Sequence, residues 1–451
     1  MEFLDKLVIP QPDYNLNLLN YFLILGLTIF LAYSGVLFGS MSLSVYFRNK
    51  SKKVTDNNAK LSRDYADLIT DSWIYSFGLG IVPFLSIIFI YTQLLHKQPV
   101  AIVSYLTLAF LFYLVSVLLV HKYKKSLHLS QLLSALKNKV TDSEEVSAEI
   151  ETLNDSTNAT KGMTGTWSVI LMFISMWIFV GTVTFAMNPD SWWHGNVLTV
   201  LFSAASILKF LQFITAALAF TAVSFVFRNL YWDAERKNYT EEYSEFAKKI
   251  NLWLALASGL FLPIFIVLSL FIIPKTSLNP QIFAAVTLSL LLMLVILQQV
   301  YLVIKDNKNS YIRYAFYSFI IVFALMAFID KAAFSVGNRA HVLVLDKEYK
   351  VHKEEFLASL GIEAAPINGG EIYTGRCAAC HRDEDAPTAP AHKNIMQKYL
   401  DQADPLTALM QFIQNPKPVN PKWPPMPNQG LTPQEAKAVA EYMLEKYSAK
   451  E

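Results

Sequence analysis

The sequence predicts an all-α protein in which an eight-span transmembrane helix bundle precedes a small helical domain. Three observations predict this class. Hydrophobic residues make up 53% of the 451 residues and charged residues only 16%, whereas soluble domains usually carry about 25% charged residues. Eight apolar stretches are long enough to cross a bilayer, which takes about 20 helical residues. After the last stretch the chain becomes polar and proline-rich, with helix-start signals.

The bounds of the predicted spans follow the edges of the uncharged runs. The spans are placed at 17–47, 72–95, 99–121, 165–187, 197–227, 252–273, 280–304 and 311–330. The first and fifth exceed the length that a span requires, which predicts tilt or a protruding turn. We expect the first span to be retained as an anchor, because residues 1–16 are mixed in charge and the following apolar run is longer than that of a secretion signal.

Lysines and arginines between the spans predict the orientation of the bundle. Twenty of them follow spans one, three, five and seven, and only three, Lys6, Lys97 and Lys275, lie on the opposite side before the last span. Since cytoplasmic loops are enriched in Lys and Arg, the N-terminus is expected outside the cytoplasm. Eight crossings return the C-terminal tail to the same side, the periplasm of a bacterium with this chain in its inner membrane.

A change in composition divides the chain into three parts. We predict the bundle over 1–333, a juxtamembrane linker over 334–366 and a small domain over 367–451. The cytoplasmic segment 122–163 contains an acidic stretch, which is predicted to form a solvated surface helix.

The two cysteines of the chain carry its clearest chemical signal. Cys377 and Cys380 are followed directly by His381 in a C-x-x-C-H sequence, the attachment signature of c-type haem. The thiols bond to the two vinyl groups of the porphyrin, and the histidine becomes the proximal ligand of the iron. A thioredoxin-like redox pair is the competing interpretation, but it gives the histidine no role and requires a βαβ pattern. Haem is attached outside the cytoplasm, where the charge pattern independently puts the tail, so we predict one covalent haem c.

The second axial ligand of this haem should be a thioether or another imidazole. Met426 is our prediction, because it lies in a rigid Pro-Pro-Met-Pro run just before the last predicted helix. His392 and Met396 are alternatives, although both lie close to the attachment motif, and a haem without a sixth ligand also stays open. Met410 and Met443 lie inside predicted helices, which favours a role in core packing.

Three short helices are predicted around this motif. Gly369, Gly370 and Tyr373 belong to a helix whose small and aromatic residues can pack on a second one. Asp404, followed by proline, is typical of a helix start, and the last helix begins at Thr432 with a capping-box sequence. The apolar positions of that last helix recur at helical spacing. They are Ala436, Val439, Ala440, Met443 and Tyr447.

These 85 residues resemble the class I cytochromes c. The shared features are the C-A-A-C-H motif, the I-Q-N-P turn at 413–416 and the P-P-M-P-N…L-T-P-Q-E run. The family usually has a Gly-Pro-x-Leu step after the histidine, whereas this chain has two prolines, Pro387 and Pro390, in the corresponding segment. The resemblance implies that a carbonyl of this loop orients His381, and either proline can shape the loop.

Several fragments of the bundle are similar to subunit I of the cytochrome bd quinol oxidases. They are the first span, the segment Ser62–Leu95, and Lys209-Phe210-Leu211-Gln212, which resembles the Lys-Phe-x-His of that family. Gln212 replaces the histidine that ligates haem b. The histidine expected in span one, the glutamates expected in span three and the long quinol-binding loop after span six are also missing. None of the 8 histidines lies in the middle of a predicted span. The resemblance thus implies a bd-like subunit that has lost its b-haems, gained a cytochrome c and adjoins a haem-bearing partner.

Lys209 is the unusual residue of the spans. It lies well inside span five, where a cation is costly, and the sequence offers no Asp or Glu deep in another span. We expect Lys209 either to reach a lipid phosphate at the outer surface or to pair with an anionic group outside these spans, such as a haem propionate or a neighbouring subunit.

The preferred hypothesis is a membrane-anchored c-type cytochrome that acts as an electron-transfer subunit of a respiratory complex rather than as a catalyst alone. Its expected partners are other membrane subunits including a haem-bearing bd-like one, soluble or bound cytochrome c and the lipid membrane, but no nucleic acid. The alternative is a catalytic bd-like oxidase or quinol-oxidising subunit with an additional haem or quinone site, which the missing ligands disfavour. A transporter or sensor gated by haem is least favoured, because the sequence lacks buried acidic residues and paired Gly/Pro-broken spans.

Overall fold

The structure is a computed structural model in which the regular segments are helices. It describes residues 11–51, 56–98, 101–137, 144–189, 192, 195–360, 367–378, 380–381, 389–417 and 426–448. No strand occurs within these ranges, which confirms the predicted all-α class. The chain divides into two compact units, one of residues 18–338 and one that joins residues up to Asn17 with 339–451.

Eleven helices of at least four residues precede residue 338 in the described part of the chain. They are α1 (Asp13–Lys50), α2 (Asn57–Asp67), α3 (Trp73–Leu94), α4 (Ile102–Lys137), α5 (Glu144–Ala186), α6 (Val197–Phe202), α7 (Ala204–Trp232), α8 (Ala234–Lys237), α9 (Glu241–Ser269), α10 (Pro280–Asp306) and α11 (Asn309–Gly337). Of these, α1, α3, α4, α5, α7, α9, α10 and α11 are long and apolar enough to cross a membrane. The eight predicted spans are thereby confirmed, and the apolar helices indicate a membrane protein.

The observed helices depart most from the predicted spans at α4, α5 and α7. Helix α4 continues to Lys137 and α5 begins at Glu144, because a span prediction stops at the first charges whereas a helix continues through polar residues that favour helix. The predicted acidic surface helix is the start of α5, where Glu145 and Glu149 are exposed. Predicted span five is broken at Ser203, whose extended backbone ends α6 and whose side chain caps α7.

Aromatic rings and close helix contacts fill the interior of the bundle. The ring of Phe30 lies 4.6 to 5.3 Å from those of Phe84, Tyr113 and Phe179, measured between centroids. On α1, a Cβ atom added to Gly39 would fall 2.2 Å from a hydroxyl oxygen of α7. A small residue at this crossing is what allows the two helices to approach so closely.

The expectation that Lys209 reaches a lipid phosphate or pairs with an anionic group outside the spans is wrong. Its Nζ atom lies 2.5 Å from Oδ1 of Asp330 on α11, and the two side chains are only 6% and 15% exposed. Asp330 is the last residue of the predicted eighth span, so a search for acids deep within the spans passes over it. The positive charge is neutralised inside the bundle, since a buried charge without a partner is far more costly than a pair.

The second unit contains five further helices within the described residues. They are α12 (Arg339–Ser359), α13 (Gly369–Ile372), α14 (His392–Leu400), α15 (Pro405–Gln414) and α16 (Pro433–Ser448). One turn of π-helix, Tyr373–Cys377 (the π-turn), continues α13.

The segment predicted as a linker is largely helical. Its first residues complete α11, and α12 follows after one residue. On α12, Asp346 accepts a hydrogen bond from the backbone N–H of Asp13 at 2.9 Å. Lys350 forms ion pairs with Asp346 at 3.1 Å and with Glu435 of α16 at 3.4 Å. The predicted bounds of the bundle, the linker and the small domain stay a prediction. In the structure, α12 packs within the second unit.

Candidate haem-attachment site

Helix α16 provides the face on which the small domain is built. All five of its predicted apolar positions are buried. A Cβ atom on Gly369 would lie 2.0 Å from the carbonyl oxygen of Ala438, and one on Gly370 would lie 3.1 Å from the ring of Tyr442. These close contacts confirm the prediction that the small residues before the motif pack on a second helix.

The two predicted helix starts are also confirmed. The Asp404 side chain accepts a hydrogen bond from the backbone N–H of Thr407 at 3.2 Å, and Pro405 occupies the first turn of α15. Hydrogen bonds from the side chain and the backbone N–H of Thr407 lower the pKa of the Asp404 carboxyl group. At α16, the Glu435 N–H donates to Thr432 Oγ1 at 3.2 Å and the Thr432 N–H donates to the Glu435 carboxylate at 2.9 Å. This reciprocal pair is a capping box.

The two cysteines lie at the edge of the apolar core. Cys377 ends the π-turn and is buried, whereas Cys380 is exposed. Burial raises the pKa of the Cys377 thiol. The backbone N–H of His381 donates to the carbonyl of Cys377 at 2.9 Å, so a tight turn holds the three motif residues together.

The imidazole of His381 is oriented by one hydrogen bond to the backbone. Its Nδ1 atom lies 2.8 Å from the carbonyl oxygen of Pro390. Because a carbonyl oxygen can only accept, Nδ1 carries the proton, and in the neutral ring Nε2 keeps the lone pair that binds a metal. Of the two prolines that the sequence left open, Pro390 supplies the carbonyl, and Pro387 lies outside the described residues.

A second histidine lies against this ring. The imidazole of His392 stacks on that of His381, with centroids 4.5 Å apart and planes 13° apart. From the sequence, His392 is expected only as an alternative ligand of the iron. The sequence contained a signal for its packing role. When the Gly-Pro-x-Leu step of the family is aligned on Pro390, His392 occupies the position of the apolar leucine.

The methionines of the domain fall into two groups. Met396 and Met443 are buried in the apolar core, and Met410 packs against that core. Met426 is partly exposed and lies in the non-helical segment before α16, while the two prolines that precede it lie outside the described residues. Its role as the sixth ligand stays a prediction.

One further contact joins the segment of Met426 to the attachment motif. Arg376, the residue before the first cysteine, donates through Nη1 to the carbonyl of Gln429 at 2.7 Å. The start of the motif is thus tied to a position three residues after Met426.

The Cytochrome c family model matches residues 367–446. Residues 367–446 form a cytochrome c domain. Chloroplastic cytochrome c6 of Chlamydomonas reinhardtii is 30% identical over 79 residues, which cover 17% of this chain and 51% of that relative. The chain thus spans about half the length of the curated relative that it matches. The family match does not include the bundle, so the resemblance to cytochrome bd oxidases stays a prediction.

The residues of the cytochrome c domain fit the covalent haem c that the family implies. Cys377 and Cys380 have the spacing that thioether attachment requires. His381 offers Nε2, because its other nitrogen is held by the loop carbonyl. A metal-ligating histidine commonly has such a hydrogen bond, which fixes its tautomer and ring orientation.

Proposed function

We propose that this protein is a membrane-anchored c-type cytochrome that serves as an electron-transfer subunit of a respiratory complex. One observation carries the proposal. A cytochrome c domain, with the proximal histidine already oriented by Pro390, follows eight membrane-spanning helices in one chain. The bound haem supplies a one-electron couple at its iron.

Different residues of the domain would attach this haem, bind its iron and orient the ligand. Cys377 and Cys380 would attach it, and His381 would bind the iron through Nε2. Pro390 accepts the Nδ1–H hydrogen bond, which keeps the imidazole in one tautomer and raises its basicity as a ligand. Met426 would supply a thioether to the same iron, and a Met/His pair favours electron transfer at a raised potential over ligand chemistry.

The charge pattern supports a periplasmic position of the cytochrome c domain at a bacterial inner membrane. Segments after the odd-numbered spans carry twenty lysines and arginines against three on the other side. Protease added to spheroplasts should remove the domain, and protease added to inverted vesicles should leave it intact. The reverse protection pattern would refute this orientation.

Eight helices exceed the single span that a tether needs, which supports a docking role for the bundle. The expected partners are other membrane subunits, among them a haem-bearing bd-like one, and a soluble or bound cytochrome c. Since Lys209 is paired with Asp330, its charge does not call for a haem propionate in the bundle. Purification from the native membrane should recover the partner subunits with this chain.

The haem content of the purified full-length chain tests the proposal directly. One haem per chain should remain attached after extraction with acidified acetone. Extractable haem b in addition would favour the alternative of a bd-like oxidase or quinol-oxidising subunit. Cys377→Ser and Cys380→Ser should each impair stable attachment, and full covalent loading of either variant would contradict the proposed site.

A separate pair of variants tests the sixth ligand. Met426→Ala should remove the long-wavelength sulfur-to-iron absorption band and lower the reduction potential. Met443→Leu is the matched control, because Met443 is buried in the core and its replacement should leave the band in place. An unchanged band and potential in Met426→Ala would exclude that residue.

A further inference from the structure

A buried polar cluster lies behind the proximal histidine. It consists of His392, Tyr373 and Tyr447, which are 4%, 4% and 8% exposed. Polar side chains are costly to bury unless they form hydrogen bonds. The cluster therefore depends on specific contacts, and its position against His381 suggests what those contacts serve.

Two hydrogen bonds connect the three side chains. The hydroxyl of Tyr373 lies 2.9 Å from Nδ1 of His392 and 3.0 Å from the hydroxyl of Tyr447. Tyr373 begins the π-turn that ends at Cys377, His392 begins α14, and Tyr447 lies in the last turn of α16. The ring of His392 is consequently held by the hydroxyl of Tyr373, which in turn contacts the hydroxyl of Tyr447 on α16.

His381 experiences two different constraints from this side. The hydrogen bond to Pro390 fixes one edge of its ring, but a single hydrogen bond leaves the ring free to rotate about the direction of that bond. The face contact with His392, at 4.5 Å and 13°, opposes this rotation. Both constraints come from one short stretch of chain, since Pro390 and His392 are two residues apart.

We propose, on the basis of the haem c function proposed above, that His392 is a positioning residue that fixes the plane in which His381 meets the haem iron. The orientation of an axial imidazole decides which iron d orbitals it overlaps. It thereby affects the electron paramagnetic resonance of the oxidised centre and its reduction potential.

Three variants of the full-length, haem-loaded protein test this role. His392→Leu removes both the stacking and the hydrogen bond, and it should change the g-values of the oxidised haem and shift the reduction potential. His392→Phe keeps an aromatic ring in face contact but loses the hydrogen bond to Tyr373, so it should change both properties less than His392→Leu does. Ile413→Val, another buried position of the same core, is the control and should alter neither property.

The outcomes separate this inference from the proposed function. Wild-type g-values and potential in haem-loaded His392→Leu would overturn the positioning role. If His392→Leu does not load haem, Tyr373→Phe carries the test, because it leaves the His392 imidazole in place and removes the hydroxyl that contacts both His392 and Tyr447. That variant should show a smaller change in the same g-values, and an unchanged spectrum would overturn the role. Absence of covalent haem from the wild-type chain would instead refute the proposed function.

Discussion

Gly369 marks the crossing at which α13 rests on α16, and substitution with alanine tests that contact. The added Cβ would lie 2.0 Å from the carbonyl oxygen of Ala438 and 2.5 Å from its carbonyl carbon, whereas ordinary contacts begin at 3.4 Å. The obstacle is backbone, so no side-chain rotation relieves it. The two helices must separate, and α13 leads directly into the turn that ends at Cys377.

The expected loss of stability follows from this overlap. Overpacking a core contact typically costs about 1–3 kcal/mol. For a domain of this size each kcal/mol lowers the melting temperature by about 4–8 °C. Gly369→Ala should therefore lower the melting temperature of the cytochrome c domain by about 4 to 24 °C.

The assay is thermal unfolding of the full-length haem-loaded protein in detergent, followed by haem absorbance. Gly375→Ala is the matched control, because a Cβ added there would meet no described heavy atom within 4 Å apart from its chain neighbours and its own helix backbone. That variant should melt at or slightly above the wild-type temperature, since alanine restricts the unfolded chain. Equal melting temperatures for the two variants would refute the reasoning.

Three further predictions concern other contacts. Lys209→Met should destabilise the bundle in detergent by about 3–5 kcal/mol, and adding Asp330→Leu should recover most of the loss; equal stability of the single and double variants would contradict the pairing. Thr432→Ala should lower the unfolding free energy of the cytochrome c domain by about 1 kcal/mol with an unchanged haem spectrum, and unaltered denaturant unfolding would contradict the capping role. In protein produced without attached haem, iodoacetamide should modify the exposed Cys380 before Cys377, because the raised pKa of Cys377 keeps its thiol protonated until higher pH. Peptide mass spectrometry at rising pH measures the two rates of modification. Equal rates for the two cysteines would contradict the prediction.

The sequence by itself determined the features that depend only on contiguous residues. Span-length apolar runs predict the eight membrane helices, because the bilayer thickness sets the number of residues required. The C-x-x-C-H motif and the capping sequences at Asp404 and Thr432 are likewise local, since each involves residues at most four positions apart. Such local features depend on residues that are close in sequence, and not on how distant parts of the chain pack.

Tertiary structure decided the contacts between residues that are distant in sequence. Lys209 and Asp330 lie 121 positions apart, and only the packing of α7 beside α11 brings them together. The choice of Pro390 as the acceptor for His381 and the stacking of His392 on that ring depend on the path of a loop. The spacing of residues within one segment does not encode such a path, because it results from the way several helices pack around a shared core.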